Sequence, residues 1–128
     1  MPLQNVLIDG QWTSSASSGS FRSLNPRSGE PLADEYPLSS WADCDRALAA
    51  AARAARALFH FSPESLARFL ERCAAGIESL SEQLVAMAHA ETGLPTAPRL
   101  KDAELPRTTD QLRQAAAAAR EQSWRLAT

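Results

Sequence analysis

Few residues in this chain have the type and spacing that chemistry requires. Histidine occurs twice. His60 stands between Phe59 and Phe61, and His89 lies near the end of a helical stretch. Neither has a histidine or cysteine at metal-ligand spacing, so no metal site is expected. The two cysteines, Cys44 and Cys73, fall on apolar helical stripes. They read as small buried thiols in a reducing compartment, with a disulfide as the lesser alternative. A catalytic thiolate needs an accessible electropositive niche, which an apolar stripe does not offer. Glu91-Thr92 resembles a catalytic pair only by residue type, and a helix-end cap or solvent contact accounts for it. Arg53, Arg56, Arg68 and Arg72 read as a solvated helix face. The five glycines, at 10, 19, 29, 76 and 93, lack the spacing of a phosphate-cradling loop. The expected catalytic, cofactor-binding and metal sets of this chain are therefore all empty.

The elements that would position any such group follow from composition. Of 128 residues, 25 are Ala and 16 are Leu, while Val and Ile together number 4. A buried parallel sheet draws on Val/Ile runs, so Ala/Leu helices with a small antiparallel element are expected instead. A formal charge of −2 without a basic block gives no nucleic-acid footprint. Met1 to Asn5 carry no cationic region, and no long apolar run follows. Neither a secretory signal nor a membrane span is expected, and the cytoplasm is the default location.

Residues 1–38 read as ribbon and turns. Val6-Leu7-Ile8 and Gln11-Trp12-Thr13 flank Asp9-Gly10, a dipeptide suited to a tight hairpin because both turn positions take positive φ. Ser14 to Ser20 reads as flexible loop. Phe21 to Leu24 is a second extended segment, Asn25-Pro26-Arg27-Ser28-Gly29 a turn, and Leu32 to Tyr36 a third strand.

Residues 39–128 read as helices, and with the ribbon they form one incomplete domain. Trp41, Cys44, Leu48, Ala51, Ala55 and Leu58 make one stripe on a helix of about five turns. Ser40 with Asp43 suggests a capping box, with Asp43 in the place of the usual Glu. Ser62-Pro63-Glu64 starts the next helix. Its stripe is Leu66, Phe69, Leu70, Cys73, Ile77, Leu80, Leu84 and Met87, with a break allowed near Leu80 and a stop at Thr92-Gly93-Leu94-Pro95. The core is expected from these stripes. Leu105-Pro106 marks a new start, Thr108 with Gln111 a second capping box, and Gln111 to Arg120 a short helix. Trp124 shows no partner in sequence.

The order of segments resembles the opening of the aldehyde dehydrogenase superfamily. Leu7-Ile8-Asp9-Gly10-Gln11-Trp12 matches its hydrophobic–Gly–x–Trp hairpin, and Asn25-Pro26-Arg27-Ser28-Gly29-Glu30 its Asn-Pro-x-x-Gly-Glu turn. Ala90-Glu91-Thr92-Gly93-Leu94-Pro95 continues in order. Glu104 to Arg113 (Glu-Leu-Pro-Arg-Thr-Thr-Asp-Gln-Leu-Arg) is similar to the branch that oxidises 2-ketoglutarate semialdehyde. The resemblance implies a mainly α piece of an α/β aldehyde dehydrogenase fold, with a small N-terminal antiparallel β-ribbon and helices that flank a cofactor-binding domain. It also implies that the family's nucleophilic Cys, general-base Glu, oxyanion-hole Asn and NAD or NADP site lie outside the matched region. No family catalytic residue transfers to Cys44, Cys73 or any other position here.

The chain is accordingly read as an N-terminal piece of an NAD(P)-dependent aldehyde dehydrogenase, inactive alone. Its implied partners are a second copy or aldehyde dehydrogenase subunits, with no nucleic acid and no membrane. On that reading its helical stripes should be partly exposed. The alternative is a self-contained helical interaction module, in which the stripes of 41–58, 66–87 and 105–119 close on one another.

Overall fold

The structure is a computed structural model that describes residues 3–122. Trp124 lies outside the described residues. The chain divides after Phe59 into two compact units.

In the first unit, β1 (Val6–Ile8) and β2 (Gln11–Thr13) form the expected antiparallel hairpin, with Leu7 opposite Trp12. Asp9 and Gly10 take φ of 53° and 75°, the paired left-handed geometry that a two-residue turn demands. The Asn25 turn also forms. Gly29 N–H donates to the Asn25 carbonyl at 2.8 Å, Arg27 N–H to Asn25 Oδ1 at 2.9 Å, and Gly29 adopts φ 75°.

Two strand expectations need correction. Ser17–Phe21 is a strand, β3, so most of the presumed Ser-rich loop is ordered. Its partner β4 is Tyr36–Ser39, not Leu32 to Tyr36. The two run antiparallel with Phe21 opposite Tyr36 and an irregularity between Ser17 and Ser20. Serines carry no apolar alternation, so the pattern was silent. The backbone ladder, the Phe21–Tyr36 ring contact at 5.6 Å, and Ser20 Oγ donating to the Glu35 carboxylate hold them. Pro37 is tolerated because this two-stranded ribbon is all edge. There are thus four short strands in two separate ribbons where three strands were expected.

Helix α1 (Trp41–Leu58) begins at the expected cap: Ser40 Oγ accepts from Asp43 N–H at 3.2 Å. The reciprocal half of the capping box is absent. Ser40 N–H donates instead to the Ala16 carbonyl at 3.1 Å, and the Asp43 side chain turns to the loop before β3. The α1 residues buried within the unit are Asp43 and Ala50.

The second unit holds α2 (Pro63–Ser79), α3 (Ser81–Thr92), a wide π-type turn over Thr96–Glu104, and α4 (Leu105–Glu121). Ser62 caps α2 through Ser65 N–H at 3.1 Å, and Pro63 occupies its first turn. The break near Leu80 is real. Leu80 leaves helical geometry at φ −104°, ψ 11°, and Ser79 Oγ donates to the Gly76 carbonyl at 2.8 Å, satisfying an end group locally. Gly93 closes α3 at φ 70°. Thr108 is inside α4, its hydroxyl donating to the Glu104 carbonyl at 2.9 Å. The second capping box therefore does not form. The start expected at Leu105-Pro106 is present: α4 runs from Leu105, so it is longer than the expected Gln111–Arg120 helix, with Pro106 in the first turn where its missing N–H costs nothing.

The core is not drawn from the stripes. It consists of Ala50, Ala67, Ala74, Val85, Leu100 and Ala116. On α2 the buried pair is Ala67 and Ala74, seven residues apart; on α4 it is Thr109 and Ala116, also seven apart. These small side chains let α2 and α4 pack closely over most of their length. Several large residues of the stripes face outward: Trp41 is 85% exposed, Leu48 69%, and Phe69 54%.

Candidate functional site

An open, almost wholly apolar groove of the second unit lies beside the start of α4. Its volume is about 310 Å³, and its floor is Ile77 of α2, Leu84, Val85 and Ala88 of α3, Leu100 of the π-type turn and Leu105 of α4. Only Glu104 and Thr108 bring polar side chains to it. Both are committed elsewhere. Glu104 Oε1 takes an ion pair from Arg99 at 2.7 Å, and the Thr108 hydroxyl is spent on the Glu104 carbonyl. The groove can seat an apolar body, but it offers no free acid or base to one.

The residues singled out by type sit apart from it and from one another. His89 Nδ1 lies 2.6 Å from the Leu94 carbonyl, beyond the end of α3. Thr92 Oγ1 donates to the Ala88 carbonyl and accepts from Leu94 N–H at 3.2 Å, so this residue is a helix-end cap. Glu91 is exposed. Cys44 and Cys73 are free thiols in different units and are half-buried, not the fully buried thiols the stripes implied. The stripes themselves are open, which explains the difference. Cys73 borders a wider depression of about 630 Å³ with Phe61, Ser65, Phe69, Arg68 and Arg72. Arg53 pairs with Asp9 at 2.9 Å and Arg68 with Glu64 at 3.5 Å, both on the solvated surface. Among the described residues no three His, Cys, Asp or Glu cluster as metal ligands. No described helix is long and apolar enough to cross a membrane.

Two charged constellations escaped the reading by residue type. In the first, Asp43 is buried and accepts from Ser15 Oγ at 2.7 Å, from Ala16 N–H at 3.0 Å, and from the Arg46 guanidinium. The Ser15 hydroxyl and the Arg46 guanidinium hold its carboxyl below the ordinary value of 3.8. In the second, Arg120 of α4 is clamped by two α2 carboxylates. Its Nε meets Glu64 at 2.8 Å, while Nη1 and Nη2 meet Glu71 at 2.6 and 2.9 Å. One turn-pair earlier, Arg113 Nη2 meets Glu78 at 2.8 Å. Glu64, Glu71 and Glu78 on one helix and Arg113 and Arg120 on the other are each spaced by seven. Their pairing order makes α2 and α4 antiparallel. The seven-residue spacing was the sequence signal available, since it repeats the spacing of the buried small residues.

The arginines hold all three glutamates below their ordinary value of 4.5. Carboxyls depressed in the folded state stabilise it above the unfolded value, and that stabilisation fades as pH falls through the depressed values. We expect the urea midpoint of the α2–α4 pair to drop modestly between pH 7 and pH 3, and Arg120→Gln to flatten that slope. High salt should also reduce it, because these side chains are partly exposed. An Arg120→Gln slope equal to wild type would show that the clamp contributes nothing.

Comparison with known proteins now identifies the class. The model of the aldehyde dehydrogenase family matches residues 12–127, so the chain belongs to that family. The chain is 38% identical over 114 residues to alpha-ketoglutaric semialdehyde dehydrogenase 2 of Azospirillum brasilense, covering 88% of this chain and 21% of that protein. The crystal structure of PnpE in complex with nicotinamide adenine dinucleotide superposes with a TM-score of 0.80 at 27% identity, over 90% of this chain and 23% of that one. An aldehyde dehydrogenase structure from Burkholderia cenocepacia gives 0.80 at 28% identity, with the same shares. The chain thus spans about a fifth of the curated relative it matches and about a quarter of the solved structures. Its mainly helical architecture with two small ribbons is a partial aldehyde dehydrogenase fold.

Proposed function

We propose that this chain supplies the N-terminal scaffold portion of an NAD(P)-dependent aldehyde dehydrogenase whose substrate is 2-ketoglutarate semialdehyde, and that it oxidises nothing by itself. The observation that carries this reading is the 38% identity to a dehydrogenase of that name over nearly the whole chain but only 21% of the relative. The site geometry supports it. Aldehyde oxidation requires a thiolate in reach of a base, and NAD(P) to accept the hydride. Cys44 and Cys73 are half-buried thiols in different units, on stripes that are apolar. The described glycines form no phosphate loop, and the groove beside α4 is apolar, with its two polar residues already engaged. On this reading residues 1–38 supply the ribbon, residues 39–128 flank a cofactor-binding domain, and the chain works in the cytoplasm with aldehyde dehydrogenase subunits.

The test is direct. Purified protein is mixed with NAD+ or NADP+ and 2-ketoglutarate semialdehyde, and reduced nicotinamide is followed by absorbance. We expect no rate above the protein-free control, and Cys44→Ser and Cys73→Ser variants that match wild type. A rate lost in either variant would overturn the proposal.

A further inference from the structure

Where α3 ends, its own side chains hold Leu94 from both sides. Thr92 Oγ1 accepts from Leu94 N–H at 3.2 Å and gives its proton to the Ala88 carbonyl. His89 Nδ1 lies 2.6 Å from the Leu94 carbonyl oxygen. Gly93 makes this possible. Its left-handed φ of 70° folds the chain back over the helix end, and its N–H reaches the His89 carbonyl at 2.9 Å. Pro95 follows at φ −60° and ψ 138°, so the chain leaves the helix extended. A carbonyl oxygen can only accept, so the 2.6 Å contact is a hydrogen bond only when Nδ1 carries the proton.

We propose that His89 is a tautomer-locked latch. Its neutral ring is held in the Nδ1–H form, with the proton donated to the Leu94 carbonyl and Nε2 left unprotonated. Together His89 and Thr92 fix the peptide groups on both sides of Leu94, and through them the direction in which the chain enters the π-type turn Thr96–Glu104. That direction matters for packing. The turn carries Leu100, which is 7% exposed and shares an apolar surface with Val85 and Ala88 of α3. The latched groups are at most five residues apart in sequence, so the device is local to the helix end and holds whatever covers the outer faces of the unit. It needs no catalytic group and is independent of the proposed function.

Nuclear magnetic resonance of the chain with nitrogen-labelled histidine reads the tautomer. The His89 signals are those lost in His89→Asn. In mildly alkaline buffer, where an ordinary imidazole is neutral, we expect the nitrogen shifts of a protonated Nδ1 and an unprotonated Nε2. Amide exchange at Leu94 is the second readout. His89→Ala should quicken it about threefold to tenfold, the range that one hydrogen bond sets. His89→Asn should keep it near wild type, because the asparagine amide places an N–H close to where Nδ1 stood. Helix propensity predicts the reverse order, since alanine is the better helix former. A neutral His89 with its proton on Nε2 would overturn the inference. So would Leu94 exchange as slow in His89→Ala as in wild type, or as fast in His89→Asn as in His89→Ala.

Discussion

Replacing Ala74 or Ala116 with leucine is expected to cost the second unit about 3 kcal/mol, the upper end of what overpacking a filled interior costs. Both alanines are fully buried, on α2 and α4 respectively. The pairing of Glu78 with Arg113 and of Glu71 with Arg120 brings them to nearly the same level of the antiparallel pair. Three added heavy atoms there have no void to enter, so the helices must separate. Separation also stretches the Arg120 and Arg113 ion pairs. Leucine is nearly as good a helix former as alanine, so the loss would report packing and not propensity. Leu66→Ala on the more open face of the same helix is the control and should cost less, about 1 to 2 kcal/mol, since Leu66 stays 38% exposed in the folded chain. Urea denaturation followed by circular dichroism measures both. If Ala74→Leu and Ala116→Leu fall within about 0.5 kcal/mol of wild type, the small-residue seam is not what holds the unit together.

That seam also shows why part of the fold was legible in sequence and part was not. Local signals were reliable. Asp9-Gly10, the Asn25 turn, the Ser40 and Ser62 caps, the Leu80 break and the Gly93 stop all came from residues whose own backbone or side chain makes the feature. The core was misread because apolar size was taken as a guide to burial. In α2 the fully buried residues are Ala67 and Ala74, while Leu66 and Phe69 of the stripe stay exposed and Ile77 reaches only the groove beside α4. Nothing in the Leu/Phe periodicity distinguishes a face that packs on this chain from a face that meets something else. Strands β3 and β4 are silent in sequence for a related reason: the Ser-rich segment has no alternation, and its pairing depends on residues about 15 to 22 positions away.

Residue type alone points to no catalytic set, and it is equally silent about the two ion-pair constellations. An aspartate three residues after a serine looks like a cap, and Asp43 does help define one through its backbone. Its side chain does something that spacing cannot reveal, because Ser15 and Ala16 are more than twenty residues upstream. The family resemblance is legible for the opposite reason. The order of the hairpin, the Asn-Pro-x-x-Gly-Glu turn and the Glu91-Thr92-Gly93 stop is a linear property and survives without any knowledge of contacts.

Asp43→Ala should disrupt the first unit more than any other single carboxylate change in it. Asp9 and Asp45 are exposed, whereas Asp43 is 4% exposed and ties α1 to the loop before β3. Removing its carboxylate leaves the Ala16 N–H and the Ser15 hydroxyl without their acceptor and frees the Arg46 guanidinium. Hydrogen bonds to a charged acceptor are among the stronger ones, and an orphaned backbone donor carries its own desolvation cost. Ala16 amide exchange should therefore quicken about tenfold or more. Asp43→Asn keeps one acceptor and should fall between alanine and wild type. The pH response follows from the depressed carboxyl. Its contribution is fully present above the ordinary value of 3.8 and is lost as pH falls through the lower folded-state value. Wild-type Ala16 protection should therefore weaken in acid, whereas Asp43→Asn, which cannot titrate, should show little of that dependence. Equal exchange at Ala16 in wild type and Asp43→Ala would mean that the ribbon and helix α1 are joined by other contacts. In that case the cap at Ser40, which needs only the Asp43 backbone, would be the sole function of this position.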